Sequence, residues 1–455
     1  MSEKCVSIVG LGKLGASMAA AVADRGFTVI GVDVNKVAID NLNAGKAPVR
    51  ETNLQEYIDR NRSRLSATLS HHDAVLNSDI TFVIVPTPSD QNGAFSIKYV
   101  VTAFKAIGRA LKEKNGYHTV VLTSTILPGA TRYGLLPVLE RESGKKCGTD
   151  FGLCYSPEFI ALGSVIHDFL NPDFLLVGEY DKTSGETLEK FYEKIMENKP
   201  PCKRMSIENA ELAKISLNSY ITMKITFANI LTELCEKIPG GDIDAVTDAI
   251  GLDKRIGRKY LTGGLGFGGP CFPRDNVAVS YFARSLGVRN EIAEATDQFN
   301  QTIPDRIVNR LKPLIRPGST VAVLGLSYKP FSCVVEESQG IFLARALSKQ
   351  NLIVTGFDPL ANENAKSVMG DDIEIKNSLN ECLEQADAVL ITTQDPAFAN
   401  LKLQDFQNAK HDVLVVDFWR ILDQELSGKP GIRYIPVGRG DDSQNNTVCL
   451  KNMWK

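Results

Sequence analysis

Residues 263–275 read Gly-Gly-Leu-Gly-Phe-Gly-Gly-Pro-Cys-Phe-Pro-Arg-Asp, and they gather residue types that could do covalent chemistry. Five glycines in the first seven positions argue against a helix or a packed strand, because glycine loses most backbone freedom on ordering and gives a core no side chain. Such a loop is expected to bring its backbone close to a ligand. Pro270 and Pro273 flank Cys271 and stiffen the chain around one thiol, while Arg274 and Asp275 fall on the expected first turn of a helix. A thiol with a cation and a carboxylate nearby is a mounted nucleophile. The competing reading is a buried structural cysteine beside a flexible turn.

A second constellation lies near the start. Residues 6–9 are apolar and run into Gly10-Leu-Gly12-Lys-Leu14-Gly15, followed by a helical pattern over 17–25 and a strand pattern from 28 that ends in Asp33. Strand, glycine turn, helix, strand and terminal acid form a dinucleotide-binding unit. The glycines allow the tight turn and close pyrophosphate approach, and the helix N-terminus attracts phosphate. Asp33 can accept hydrogen bonds from the adenosine ribose and would repel a 2′-phosphate, so NAD is expected rather than NADP. Lys36 stands nearby, where a base could also meet a phosphate.

The elements that must position these groups follow in order. Residues 79–85 and 118–125 read as buried strands ending in Pro86-Thr87-Pro88 and Ser124-Thr125. Hydroxyls at the carboxyl ends of parallel strands face the cofactor crevice, so Thr87 and Thr125 are candidate nicotinamide or ribose contacts; turn and cap roles are the alternative. Residues 151–156 and 174–178 read as further strands, with Ser156-Pro-Glu158-Phe159 between them. A carboxylate there can order a water or substrate hydroxyl, or simply face solvent. Residues 206–235 hold few helix breakers and predict a helix of roughly 30 residues, about 45 Å long. Lys214, Asn218 and Thr222 share one face of it. From Thr320–Leu324 a second α/β unit begins, with strands at 353–358, 388–393 and 413–417. Its first turn, Gly325-Leu-Ser-Tyr-Lys329-Pro, lacks the GxGxxG pattern, so this half is expected to bind something other than a second dinucleotide. Lys329 suggests a phosphate-bearing ligand or is a solvated turn residue. Residues 438–455 are polar and read as an edge or a loose tail.

Composition excludes several classes. With 455 residues the chain has room for about three domains, and 51 basic against 54 acidic residues leave a net charge of −3 without a basic run. Neither nucleic acid nor a membrane surface is an implied partner. No apolar stretch reaches the length of a membrane span and no leader pattern precedes residue 6, so a cytoplasmic location is expected. Nine cysteines without CxxC pairs give neither a disulfide framework nor a zinc site, and the five histidines (His71, His72, His118, His167, His411) read as ordinary surface or loop residues. No metal is expected.

Taken together, the chain resembles the nucleotide-sugar 6-dehydrogenases, the family of UDP-glucose and GDP-mannose dehydrogenases, over nearly its whole length, most specifically at Gly-Phe-Gly-Gly-Pro-Cys-Phe-Pro-Arg-Asp. The resemblance implies an α/β fold of two Rossmann-like doubly wound domains joined by a helical region with one long central helix. Its expected parts are an NAD-binding domain (1–205), a central dimerisation region with the catalytic loop (206–312) and a nucleotide-sugar-binding domain (313–455). The partners it implies are a nucleotide sugar, UDP-linked by preference, and a second copy of the chain in a homodimer or higher oligomer.

The resemblance also assigns roles. Cys271 is the nucleophile that forms a thiohemiacetal and then a thioester. Lys214 and Asn218 stabilise the C6 oxyanion, Asp275 handles water and protons, and Glu158 and Thr125 position the water. Gly10, Gly12, Leu14, Gly15, Asp33, Lys36, Thr87, Thr125 and Arg274 are expected at the cofactor. Glu158, Phe159, Lys214, Asn218, Arg255, Tyr260, Leu261, Gly268, Lys329 and Arg420 are expected at the substrate. The chain departs from the family pattern at Glu336, where an arginine is usual, at Arg274, where lysine is usual, and at Pro270, where serine is common. Arg420 sits in an Asp417-Phe-Trp-Arg420 run rather than Asp-x-Arg, and replaces the missing arginine only with a shifted backbone.

The favoured reaction is NAD-dependent four-electron oxidation of UDP-glucose to UDP-glucuronate, with GDP-mannose or a UDP-N-acetylhexosamine as alternative substrates. A two-electron β-hydroxyacid dehydrogenase would need neither Cys271 nor the residues beyond about 315. A catalytically silent nucleotide-sugar sensor would not need Cys271, Lys214, Asn218 and Asp275 together.

Overall fold

A computed structural model of the chain describes residues 5–410, 412–441 and 444–454. Eight strands build the first sheet: β1 Cys5–Val9, β2 Thr28–Val32, β3 Leu65–Thr68, β4 Ile80–Val83, β5 Thr119–Leu122, β6 Gly152–Tyr155, β7 Leu175–Glu179 and β8 Cys202–Ser206. Their order is β3-β2-β1-β4-β5-β6-β7-β8, parallel except for the β6–β7 pair. Six strands build the second: β9 Thr320–Leu324, β10 Ile353–Phe357, β11 Glu374–Ile375, β12 Ala388–Ile391, β13 Val413–Asp417 and β14 Ile432–Pro436, ordered β11-β10-β9-β12-β13-β14 and all parallel.

Strand periodicity explains why helices cover both faces of each sheet. In β1, Val6 and Ile8 enter one core while Val9 enters another; in β9, Val321 and Val323 face one way and Ala322 and Leu324 the other. Apolar side chains on both faces of a parallel sheet must be buried by helices on both sides. Each sheet is therefore doubly wound, as the sequence reading expected.

The chain divides into two compact units. One takes the chain up to Leu217 together with Tyr281–Leu286, and the other takes Asn218–Ser280 together with the chain from Gly287 on. The predicted long helix is Ile207–Lys237, 31 residues. Among the described residues no helix is long and apolar enough to cross a membrane. The segment 438–455, expected as an edge or loose tail, contains the helix Gln444–Met453.

One histidine expectation is corrected. His118 directly precedes β5 but is buried rather than at the surface: its Nδ1 lies 2.9 Å from the Ser78 carbonyl and its Nε2 2.8 Å from the Thr81 hydroxyl, which in turn meets Ser7 at 2.6 Å. Burial pushes its pKa down to about 3, so the ring is neutral and donates from Nδ1. His411 lies outside the described residues.

Candidate active site

In the first unit the dinucleotide turn is built as its glycines demand. Gly10 adopts φ +101°, and a Cβ there would stand 2.1 Å from the Ile84 carbonyl oxygen; a Cβ on Gly15 would stand 1.8 Å from the Gly10 oxygen. Gly12 instead has open space at its Cα, directly before the helix Lys13–Asp24, whose first turn carries no acid. An anionic pyrophosphate suits that opening. Asp33 is half-buried at the end of β2; it accepts from Leu11 N at 2.6 Å and Asn35 N at 2.8 Å. Those two bonds aim a carboxylate where a ribose diol would meet it, so the residues fit an NAD. Lys36 is tied to Asp40 one turn along its helix at 2.7 Å, with both side chains exposed.

Thr87 and Thr125 come together at the ends of β4 and β5: the Thr87 hydroxyl donates to the Thr125 carbonyl at 2.7 Å, and the Ser124 hydroxyl donates to Val85 O at 2.7 Å and accepts from Val85 N at 2.9 Å. Just after them, Gly129 N and Thr131 N donate to the carboxylate of Glu211, at 2.5 and 2.9 Å. Glu211 is fully buried on the long helix, three residues before Lys214. It fixes the Thr125 segment to that helix. No motif marks it, and with Glu208, Asn209 and Lys214 close by in the sequence it does not stand out as a lone acid.

Lys214 is buried and donates to the Glu158 carbonyl at 2.6 Å, with its Nζ 4.5 Å above the Phe159 ring. The Glu158–Phe159 turn is held from below by Ser156, which bonds to Leu176 O at 3.0 Å and the Tyr192 hydroxyl at 2.8 Å. Burial pushes the Glu158 carboxyl up to about 7, against the opposing pull of the Lys214 ammonium. A carboxyl poised there can exchange protons in either direction at neutral pH.

In the second unit, Cys271 is exposed and immediately precedes the helix Phe272–Ser285, whose first backbone bond runs from Asp275 N to Cys271 O at 2.8 Å. Asp275 is 1% exposed and accepts from Asn218 Nδ2 at 2.6 Å; Arg274 stands 3.4 Å from its other oxygen. One turn along the long helix, Thr222 repeats the pattern by donating to Asn276 Oδ1 at 3.0 Å.

The glycine loop is tightly packed against its own chain. A Cβ on Gly264 would stand 2.7 Å from Phe418 O, on Gly266 2.2 Å from Asn300 Oδ1, and on Gly268 2.2 Å from Glu337 O. Close approach of protein by itself demands these glycines. Three buried amides pin the loop. Asn229 bonds Gly264 N and Leu265 O, both at 2.9 Å; Asn300 bonds Phe267 N at 2.9 Å and Phe267 O at 3.0 Å; Gln339 donates to the same oxygen at 3.1 Å. None of the three was singled out in the sequence, because each lies far along the chain from the loop.

Of the expected substrate residues here, Arg255 is exposed and paired with Asp253 at 2.5 Å, and Tyr260 is half-exposed at φ +64° with its ring edge-on to Phe272. The Leu261 side chain is buried, so it offers only backbone to a ligand. Lys329 rides 5.8 Å over the Tyr328 ring. Arg420 is corrected. It is buried at φ +58° and spends all five N–H groups on protein: Asp244 at 2.7 and 2.9 Å, Phe418 O, Val437 O and Gly263 O. With no donor left for a phosphate, it is a clamp on the start of the glycine loop.

Three family models cover most of the chain: the UDP-glucose/GDP-mannose dehydrogenase NAD binding domain matches residues 4–196, the central domain 208–302 and the UDP binding domain 322–424. The chain belongs to the UDP-glucose/GDP-mannose dehydrogenase family. It is 35% identical to UDP-glucose 6-dehydrogenase AglM of Haloferax volcanii over 92% of its own length and 97% of that protein, and 34% identical to GDP-mannose 6-dehydrogenase of Pseudomonas aeruginosa over 87% and 93%. The solved UDP-glucose dehydrogenase of Pyrobaculum islandicum superposes with a TM-score of 0.86 at 34% identity, covering 96% of this chain and 98% of that one. As a member of this family the protein is an NAD-dependent nucleotide-sugar dehydrogenase.

Proposed function

We propose that this dehydrogenase oxidises UDP-glucose to UDP-glucuronate, with Cys271 carrying the sugar covalently between two hydride removals. NAD supplies the hydride acceptor, two molecules per sugar. The Cys271 sulfur adds to the C6 aldehyde left by the first oxidation, giving a thiohemiacetal whose oxygen takes up a proton. Loss of a second hydride and of that proton leaves a thioester, and water releases the carboxylate and returns the thiol. Lys214 and Asn218, one turn apart on one helix, donate to the C6 oxygen as it gains charge. Asp275 takes and returns protons, and Glu158 with Thr125 orders the water.

The observation that carries this reading is the buried 2.6 Å contact from Asn218 to Asp275, one turn after an exposed Cys271 on a helix that starts at the thiol. Ser156-Pro-Glu-Phe159 resembles members acting on UDP-glucose or GDP-mannose rather than on N-acetylated sugars; UDP-glucose is favoured by likeness to the Haloferax and Pyrobaculum enzymes, and GDP-mannose is the second reading, favoured by the Pseudomonas relative.

Residues 1–205 would bind NAD, 206–312 would carry the thiol and the dimer contact, and 313–455 would bind the nucleotide. A homodimer is supported by Tyr220, Phe227, Ile230 and Leu234, an exposed apolar stripe at near-heptad spacing on the long helix. Nine free cysteines suit a reducing cytoplasm. The test is NADH counted per acid formed with UDP-glucose, GDP-mannose and UDP-N-acetylglucosamine: two per UDP-glucuronate is expected, with none sustained by Cys271→Ser. One NADH per substrate, or acid formed at the wild-type rate by the serine variant, rejects the mechanism.

A further inference from the structure

Lys224 lies on the long helix six residues past Asn218, and its ammonium points at backbone. Three N–H donors meet three carbonyls of one loop: Ile256 at 3.1 Å, Gly257 at 3.0 Å and Lys259 at 2.6 Å. That loop follows the helix Ile243–Gly251 and holds two residues in the left-handed region, Gly257 at φ +70° and Tyr260 at φ +64°. Glycine adopts that conformation freely; tyrosine does not, so surrounding contacts must impose it. The shortest of the three bonds is to the carbonyl of Lys259, the peptide that leads into Tyr260. Arg258 secures the far side by donating to the Leu261 carbonyl and, at 3.0 Å, to the Thr262 hydroxyl. The Tyr260 ring then stands edge-on to Phe272, centroids 6.2 Å apart at 77°, and Phe272 is the residue after Cys271.

We propose that Lys224 is a positioning residue for substrate binding: by gathering the carbonyls of Ile256, Gly257 and Lys259 it holds residues 255–261 in the conformation that sets Tyr260 against Phe272 beside Cys271. This rests on the reading above that Arg255, Tyr260 and Leu261 belong to the segment that contacts the nucleotide sugar. A lysine suits the task because a compact ammonium can serve three converging carbonyls, whereas a guanidinium presents a planar fork.

The test is steady-state kinetics of the full chain with NAD and UDP-glucose. Lys224→Met, of similar length without charge or donors, should raise the KM for UDP-glucose about tenfold, equivalent to ~1.4 kcal/mol, and leave the KM for NAD within about twofold. Lys224→Arg should fall between it and wild type. In a Tyr260→Ala background the same methionine substitution should add less than about twofold, since residues that act through one another are not additive. The proposal is overturned by an unchanged UDP-glucose KM in the methionine variant, whatever happens to its melting temperature. It is equally overturned by a parallel rise in both KM values or by full persistence of the effect without the tyrosine ring. If the methionine variant does not fold, Lys224→Gln is read on the same split, and an unchanged UDP-glucose KM there overturns it. A wild-type protein that forms no NADH with any nucleotide sugar rejects the proposed function itself, and this inference with it.

Discussion

Replacing Glu158 with glutamine should delete one titration from the pH dependence of catalysis. Burial raises this carboxyl from 4.5 to about 7, so at pH 7 it is half ionised where an ordinary glutamate would be protonated in about one molecule in 300. The sign for stability follows from which state holds the proton. Between pH 4.5 and 7 the folded chain keeps a proton that the unfolded chain has released, so this group costs stability as pH rises, by ~3 kcal/mol once pH exceeds 7. For catalysis the ionised form is the one that accepts a hydrogen bond from the water and so orders it beside the sugar. The wild-type kcat/KM should therefore climb through an inflection near pH 7. Glu158→Gln should lower it by about 10²-fold or more and flatten that limb. Lys214→Met separates the charge from the carboxylate by a second route: the ammonium holds the value down, so its loss should move the inflection upward by about one unit or more, besides slowing turnover. Profiles over pH 5.5–8.5 at subsaturating UDP-glucose read both effects. An inflection near pH 7 that survives in Glu158→Gln, or one that moves down in Lys214→Met, would refute the assignment.

Three further outcomes are expected. Asn218→Ala strips the buried Asp275 carboxylate of its 2.6 Å donor; urea denaturation should show a loss of about 1.5–3 kcal/mol, with NAD affinity unchanged by fluorescence titration. His118, held neutral with its pKa pushed down to about 3, makes the fold acid-sensitive: as pH falls below 6.5 the unfolded chain takes up a proton that the folded chain refuses, at ~1.4 kcal/mol per pH unit. His118→Asn should flatten the dependence of stability on pH between 6 and 4. Gly268→Ala would press a Cβ to 2.2 Å from the Glu337 carbonyl, which is backbone and cannot swing aside; an alanine variant of wild-type activity and melting temperature would contradict the packing described.

The strands that escaped sequence reading are β3, β8, β11 and β14, and these four are the outer strands of the two sheets. Inner strands such as β4 and β12 are buried throughout and read as apolar runs, whereas Cys-Lys-Arg-Met-Ser of β8 and Ile-Arg-Tyr-Ile-Pro of β14 pair on one side only and carry charge. The long helix was legible to within about two residues because no proline or glycine interrupts it. Of the proposed site, Cys271 and Asp275 stand out by residue type and Lys214 and Asn218 by their i, i+4 spacing, with their roles given by the family resemblance, but what holds them leaves no such mark. Glu211, Asn229, Asn300 and Gln339 act through carboxylate and amide bonds to backbone distant in sequence, which leave no periodic signal. Arg420 misled for a related reason: an arginine near a strand end looks alike whether its five donors meet phosphate or protein.

The two sheets share more than their strand order. Gly325 sits at φ +110° as Gly10 sits at +101°, and a Cβ on Gly340 would meet the Gly325 oxygen at 2.1 Å as one on Gly15 would meet that of Gly10. Asp358, just after β10, accepts from Leu326 N as Asp33, just after β2, accepts from Leu11 N. The same strand–turn–helix skeleton thus occurs twice, and the acid decides what each copy can hold. Asp33 takes two backbone donors and stays half-buried, leaving lone pairs for a ribose. Asp358 is 3% exposed and takes five, from the backbone of Leu326, Ser327, Leu360 and Ala361 and the hydroxyl of Ser327, against roughly four lone-pair sites on a carboxylate. A ribose diol would find no acceptor there. The packing glycine of the following helix comes five residues after Gly10 but fifteen after Gly325, and the added stretch carries Lys329. The second copy keeps its acid but spends it on its own backbone and a serine, and adds a longer loop with a cation, as expected if the ligand it selects is marked by its phosphates rather than by a dinucleotide's ribose.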